Sequence, residues 1–80
     1  MRIRYFAGAA EAAGVPEESF EPDFDVTVAE LVEQLGADRE RLAKVLAVST
    51  LLIDGRPVHE RSEYIGPESQ VDVLPPFAGG

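Results

Sequence analysis

The sequence predicts an α+β fold in which a mixed sheet of about four to five strands packs on one main helix. Three observations predict it: alternating apolar segments near both ends of the chain, one amphipathic segment with clear start and stop signals, and a tight-turn pair at residues 54–55. The chain has 80 residues, of which 45% are hydrophobic. That length and content fit one small domain with a modest core.

The opening segment, residues 2–7, alternates and predicts a first strand. Its predicted inward residues are Ile3, Tyr5 and Ala7. Phe6 then falls on the opposite face, among arginines, which is an unusual place for an aromatic side chain. Glycines at both ends of the alanine-rich stretch that follows predict a short helix ended by Gly14.

Apolar residues alternate with acidic ones over residues 20–26, which predicts a second strand. Pro22 confines that strand to a sheet edge because proline has no N–H to donate. The acid-rich stretch from Glu17 to Asp25 is interpreted as a guard against pairing with other chains. A role in docking is the alternative.

The main helix has the clearest signals in the chain. Thr27 and Glu30 have capping-box spacing, and Gly36 ends the helical pattern. The apolar residues at helical spacing are Val28, Leu31, Val32 and Leu35. Asp38 is predicted to cap a second, shorter helix that ends near Leu46.

The remaining elements are a hairpin and a last strand. Residues 50–53 predict a third strand, and Asp54-Gly55 predicts a tight turn into a short strand around Val58. Residues 60–69 are predicted to be loop. Residues 70–74 alternate again and predict a final strand with Leu74 outward.

This order of elements favours the β-grasp, or ubiquitin-like, topology. The first and last strands of that topology lie side by side at the centre of the sheet. Phe6 and Leu74 would then be neighbours and form an exposed apolar patch, the kind of surface that marks protein interfaces. The domain is predicted to span residues 1–74, followed by a flexible tail over residues 75–80.

The predicted tail consists of Pro75, Pro76, Phe77, Ala78, Gly79 and Gly80. Two prolines favour an extended backbone, and two glycines without Cβ atoms fit a narrow channel. Fully stretched, the tail reaches roughly 20 Å, enough to enter a partner's active site. The carboxylate of Gly80 could attack the α-phosphate of ATP. The alternative is a frayed terminus without function.

Composition narrows the classes of function. A net charge of -8 argues against nucleic acid and anionic membranes as partners. It fits a partner with a basic face and, equally, an acidic surface that serves only solubility. The absence of cysteine excludes thiol catalysis, and the single histidine, His59, has no companion for a metal site or a triad. We therefore expect no metal, no bound cofactor, no membrane segment, a cytoplasmic location and no enzymatic activity of the chain alone.

Three motifs together resemble a known family. They are Arg4-Tyr5-Phe6-Ala7, Thr27-Val28-Ala29-Glu30-Leu31 and Val73-Leu74-Pro75-Pro76-Phe77-Ala78-Gly79-Gly80. They resemble the small, sulfur-carrier subunit of molybdopterin synthase, of the MoaD/ThiS type, whose fold is a β-grasp. The similarity follows the whole chain in order and spacing.

The resemblance implies a mechanism and partners. An E1-like enzyme would consume ATP to adenylate Gly80, and a sulfur donor protein would convert it to a thiocarboxylate. The large subunit of molybdopterin synthase would receive the tail, pass the sulfur to cyclic pyranopterin monophosphate, and form a heterotetramer with the carrier. Phe6, Leu74 and Pro57 match docking positions of the family.

Other functions stay open at this point. Ala78 also occurs in carriers that serve cysteine synthesis, and a carrier for thiamine thiazole is a further possibility. A ubiquitin-like modifier would be joined to lysines of target proteins through Gly80. An acidic interaction module whose glycines do nothing is the last alternative.

Overall fold

The structure of the protein, a computed structural model, describes residues 1–76, and this part of the chain forms seven strands and three helices. In chain order they are β1 (Arg2–Tyr5), α1 (Gly8–Ala13), β2 (Glu17–Ser19), β3 (Val26–Thr27), α2 (Val28–Gly36), α3 (Glu40–Val48), β4 (Thr50–Ile53), β5 (Arg56–Pro57), β6 (Tyr64–Ile65) and β7 (Gln70–Leu74). The predicted tail residues 77–80 lie outside the described part.

Five strands form a mixed sheet in the order β2-β1-β7-β4-β5, and β3 pairs with β6 in a separate small ladder. The first and last strands are parallel neighbours at the centre, with Arg2 opposite Gln70 and Tyr5 opposite Val73. All other pairs are antiparallel. The predicted central pairing of first and last strands is confirmed.

The predicted start of the main helix is confirmed. The Thr27 hydroxyl accepts a hydrogen bond from the Glu30 amide at 3.1 Å, and the Glu30 carboxylate accepts one from the Thr27 amide at 2.9 Å. These bonds, the one from the backbone first, lower the pKa of Glu30. They satisfy N–H groups that the first turn of a helix otherwise leaves without partners.

The core lies between the helices and one face of the sheet. The second helix is not shorter than the main one, contrary to the prediction, because α3 has nine residues, as many as α2, and ends at Val48. Both helices cover that face. The core residues with the least exposure are Ile3, Val28, Leu31, Leu42, Leu46, Ile65, Val71 and Val73. Burial of these side chains is the main favourable contribution to folding.

Gly36 allows α2 and α3 to approach closely. A Cβ at this position would lie 2.9 Å from the Ala43 Cβ and 3.0 Å from the Ala43 Cα. The glycine that the sequence marked as a helix stop is therefore needed chiefly for contact between two helices.

We expect Gly36→Ala to lower the free energy of unfolding by about 1–3 kcal/mol, since α2 and α3 must move apart. Gly8→Ala is the matched control, because no atom lies within 4 Å of the added Cβ and alanine favours helix formation. Chemical denaturation of both variants measures the difference. Adding Ala43→Gly to the first variant should not restore stability, because the contact with the Ala43 Cα at 3.0 Å remains. A loss in Gly36→Ala no larger than that in Gly8→Ala would contradict this packing.

The predicted hairpin is confirmed. Asp54 and Gly55 have φ values of 50° and 83°, the left-handed pair that a two-residue turn of this type requires. The short strand is β5, and Val58 extends the pairing because its amide donates to the Leu51 carbonyl at 2.9 Å. The predicted loop over residues 60–69 is wrong in one part, since it contains β6.

The predicted second strand over residues 20–26 is wrong. The edge strand is β2, whose Ser19 lies opposite Arg2 at the start of β1. Residues beyond Phe20 have no further β1 residue to pair with, and Pro22 has no N–H to offer. They form a loop in which Phe24 is 83% exposed, and only Val26 and Thr27 return to a strand.

Two further details differ from the predictions. Ala7 is exposed, not inward, because β1 ends at Tyr5 and Ala7 turns into α1 with a φ of 48°. Asp38 does not cap α3: the N-cap residue is Arg39, with no side-chain cap. A turn in which the Arg39 amide donates to the Gly36 carbonyl at 3.0 Å places Asp38 one residue too early.

Tyr5 joins the core to a half-buried network. Its hydroxyl donates to the Glu18 carboxylate at 2.6 Å, and Arg39 donates to the same oxygen at 2.9 Å. Burial first, and then the bond to Glu18, raise the pKa of Tyr5 well above its usual value near 10.

We expect the free energy of unfolding to fall as the pH rises above about 10. There the unfolded chain releases the Tyr5 proton while the folded chain retains it, so the unfolded state binds fewer protons and stability decreases with pH. Denaturation at a series of alkaline pH values tests this. Tyr5→Phe should flatten the decrease, whereas Tyr64→Phe, at a side chain that is 67% exposed, should not. The opposite pattern would contradict the assignment.

Candidate docking face and tail

The helices cover one face of the five-stranded sheet and leave the other face open. Alternate residues of each strand point to the covered side, where Ile3, Leu51, Ile53, Val71 and Val73 are buried. The residues between them form the open face. The central strand of this face is β7, and from its end the chain continues into Pro75 and Pro76.

Phe6 and Leu74 lie side by side at the end of the parallel pair. Tyr5 is opposite Val73, the Phe6 amide donates to the Val73 carbonyl at 3.2 Å, and Leu74 follows on the same side. Phe6 is 38% exposed and Leu74 is half-buried. The two residues that the sequence assigned to an apolar patch are therefore adjacent, and their docking role stays a prediction.

A paired arginine and aspartate stand next to this patch. Arg4 donates two hydrogen bonds to the Asp72 carboxylate, at 2.8 and 3.0 Å, in the bidentate geometry that arginine favours. The hydrogen bonding to Asp72 raises the pKa of Arg4. The guanidinium carbon of Arg4 also lies 5.4 Å from the centre of the Phe6 ring, within cation–π range. Arg4 thus positions Phe6 on the open face.

Pro57 lies on the same face but apart from the other two predicted docking residues. It is exposed on the edge strand β5, opposite Leu52, and β4 separates it from β7. Leu52 is half-buried and joins Pro57 to the centre of the face. Sequence reasoning missed Leu52, although an apolar residue at an outward position of a strand was a usable signal.

Val48 and Asp72 were also missed. Val48 is 64% exposed at the end of α3, just before Thr50, which lies opposite Leu74. It is an exposed apolar residue near the end of the sheet where the tail begins. Asp72 is buried although it is charged, and only the contact with Arg4 explains this.

The structure places the first two predicted tail residues directly after β7. Pro75 is half-buried and Pro76 is exposed. The other predicted tail residues lie outside the described part of the chain: Phe77, Ala78, Gly79 and Gly80. Their chemical role therefore stays a prediction.

The part of the chain that the structure describes offers few other kinds of site. Residues 1–76 contain no group of three or more histidine, cysteine, aspartate or glutamate side chains that could hold a metal ion. No helix among these residues combines the length and the apolar character needed to cross a membrane.

A comparison with protein-family models identifies the family to which the chain belongs. The model of the ThiS family matches residues 3–80, nearly the entire chain. The protein belongs to the ThiS family. This confirms the resemblance to ubiquitin-like sulfur carriers that the sequence motifs indicated. No curated protein sequence shows significant similarity to this ThiS family member.

Solved structures confirm the β-grasp fold. A protein from Pyrococcus furiosus described as molybdopterin converting factor subunit 1 is 26% identical, with a TM-score of 0.83 over 95% of both chains. A structure of small archaeal modifier protein 1 of Haloferax volcanii is 22% identical, with a TM-score of 0.81 over 96% of this chain and 97% of its own.

A third similar structure is a complex. In the complex of subunits 1 and 2 of the molybdopterin-converting factor from Helicobacter pylori, the matching chain is 18% identical, with a TM-score of 0.70. The match covers 99% of this chain and 96% of that one. At this level of identity, the Helicobacter and Haloferax proteins establish the shared fold alone.

Proposed function

We propose that this ThiS family member is the sulfur carrier of molybdopterin synthase. The observation that supports it most is the family match over residues 3–80, which runs through the central strands and on to Gly79-Gly80. The chain leaves the sheet at β7, beside Phe6 and Leu74, so the proposed docking residues lie at the end of the domain where the tail begins.

The proposed chemistry takes place at the carboxylate of Gly80. A carboxylate oxygen attacks the α-phosphate of ATP on an E1-like enzyme, which forms an acyl adenylate and releases pyrophosphate. A hydrosulfide ion delivered by a donor protein then attacks the carbonyl carbon, AMP leaves, a proton is lost, and a thiocarboxylate remains. In the synthase the thiocarboxylate sulfur forms a bond to a side-chain carbon of the pterin substrate and displaces an oxygen substituent from that carbon. Water then cleaves the acyl–sulfur bond of the resulting thioester, which leaves the sulfur on the pterin as a thiolate and returns the carboxylate of Gly80.

In this proposal the chain supplies reach and position, and its partners supply the acid and base groups. The open face docks on the large subunit, which receives the tail in its active site. Two transfers complete one dithiolene, and the proposed assembly is a heterotetramer of two carriers and two large subunits. The chain is thus a sulfur-donating subunit and no enzyme by itself.

Molybdopterin is the favoured acceptor pathway because of the similarity to the Pyrococcus protein. That chain is described as molybdopterin converting factor subunit 1, and the match is 26% identical over 95% of both chains. Carriers for cysteine or thiazole synthesis and a ubiquitin-like modifier share the fold and the terminal glycines. They are therefore outcomes that the experiment must separate.

The experiment gives the thiocarboxylated protein to three acceptor systems. These are the molybdopterin synthase large subunit with cyclic pyranopterin monophosphate, a thiazole synthase, and a cysteine-forming sulfhydrylase. We expect molybdopterin to form at least about tenfold faster than the product of either other acceptor system. Faster turnover by another acceptor would contradict the proposed pathway. Proteins carrying Gly-Gly remnants on lysines in cells would instead indicate a modifier.

A further inference from the structure

The most exposed large apolar side chain of the described residues lies far from the tail. Phe24 is 83% exposed, in the loop between β2 and β3. This loop leaves the sheet where the Phe20 amide donates to the Met1 carbonyl at 2.9 Å, at the start of β1. The Phe6 patch lies at the other end of that strand, about 16 Å away. The Phe24 loop is therefore a separate surface.

Two adjoining grooves flank the Phe24 loop. The larger, of about 310 Å³, runs along the loop to α2, and the smaller, of about 110 Å³, lies between the loop and the segment from Ile65 to Pro67. Their apolar lining consists of Phe20, Pro22, Phe24, Val26, Ile65 and Pro67. An apolar groove beside an exposed aromatic ring has the shape and chemistry to accept an apolar side chain of a partner protein.

Carboxylates surround these grooves without cations to balance them. Among residues 1–76, no ion pair involves any of the acidic residues that line the grooves: Glu21, Asp23, Asp25 and Glu30. The basic residues in this part of the chain contact groups outside the grooves. Six of the seven pair with other carboxylates, and Arg61 donates to the Leu46 carbonyl.

We infer that the Phe24 groove binds a basic polypeptide segment in which lysine or arginine side chains flank one apolar side chain. The apolar side chain would enter the groove beside Phe24, and the cations would pair with Asp23, Asp25 and their neighbours. Charge complementarity selects this occupant over a second copy of the chain, whose own net charge is -8. The groove and the end of β7, where the tail begins, lie at opposite ends of the sheet, so the two surfaces are separate. The inference does not depend on the proposed function.

The test titrates the full-length, isotope-labelled protein with a lysine-rich peptide that contains one central leucine, followed by NMR. We expect saturable binding, with shifts confined to residues 20–26 and 65–67 and to the adjoining turn of α2. Phe24→Ala should weaken binding at least about tenfold, as expected for loss of an anchoring aromatic side chain. The matched control is Val48→Ala, at an exposed apolar residue near the opposite end of the sheet. This variant should bind the peptide with the affinity of the unaltered protein.

A second pair of variants separates the groove from general attraction to an acidic protein. Asp23→Asn with Asp25→Asn should weaken binding severalfold more than Asp38→Asn with Glu60→Gln, which removes the same charge elsewhere. A peptide with glutamate in place of lysine should not bind. Equal affinity of the two charge variants, an unaffected Phe24→Ala, shifts on the open face, or no saturable binding would each overturn the inference.

Discussion

The proposed binding to the large subunit of molybdopterin synthase is expected to weaken by about ten- to a hundredfold when Phe6 is replaced with alanine. The ring is exposed beside Leu74, and the guanidinium of Arg4 holds it at 5.4 Å, so it is presented as a preorganised anchor. Truncating such an anchor costs about 1.5–3 kcal/mol, and each 1.4 kcal/mol is a factor of ten. Isothermal titration calorimetry with the purified large subunit measures the change.

The matched control for this prediction is Tyr64→Ala. Tyr64 is a larger aromatic residue, 67% exposed on β6, away from the end of the sheet where the tail begins. It should leave the affinity for the large subunit unchanged. If both variants bind alike, the open face beside the tail is not the docking surface. Thermal denaturation of both proteins checks that neither substitution alters the fold.

Leu31→Ala and Leu42→Ala are expected to destabilise the domain to a similar degree, by about 2–5 kcal/mol each. Both side chains are fully buried, one in α2 and one in α3, and each truncation leaves a cavity between helix and sheet. Native proteins in general have a total stability of about 5–15 kcal/mol, and small domains lie at the low end of that range. Each variant therefore loses a large share of its stability, which urea denaturation measures directly.

The comparison of the two leucines tests whether α2 and α3 contribute equally to the core. Glu33→Ala, at an exposed position of α2, is the control and should change stability by no more than about 0.5 kcal/mol. A loss below about 1 kcal/mol for Leu42→Ala, beside a full loss for Leu31→Ala, would show that α3 packs loosely. It would contradict the two-helix core described above.

The elements predicted correctly have strong local signals. The hydrogen bonds that begin α2 join residues only three positions apart, and the Asp54-Gly55 turn depends on the conformation of two residues. The central pairing of β1 with β7 is not local, but a short chain with this order of elements leaves few arrangements. The position of Phe6 next to Leu74 followed from it.

The errors occurred where distant partners decide local structure. Residues 20–26 alternate as a strand does, but β1 begins at Arg2 and offers them no partner. The ladder of β3 and β6 has only two residues on each side, too short for a periodic pattern to reveal. Asp38 has the right chemistry for a cap, yet the turn after Gly36 shifts the start of α3 past it.

The candidate site was likewise predictable where local signals exist and unpredictable where distant contacts decide. An aromatic residue on the polar side of a strand identified Phe6, and the apolar end of the last strand identified Leu74. The burial of Asp72 could not be predicted, because it depends on the register that places Arg4 opposite. The Phe24 groove forms only when the loop folds against α2 and the residues after β6.

The most direct test of the central claim is the intact mass of the protein after incubation with ATP, an E1-like activating enzyme and a sulfur source. The account predicts a gain equal to the difference between one sulfur and one oxygen atom, located at Gly80 by fragmentation. A variant that lacks Gly80 should show no gain while its unfolding curve stays the same. No gain in the full-length protein with several activating enzymes, or an equal gain in the shortened one, would contradict a sulfur carrier that acts through Gly80.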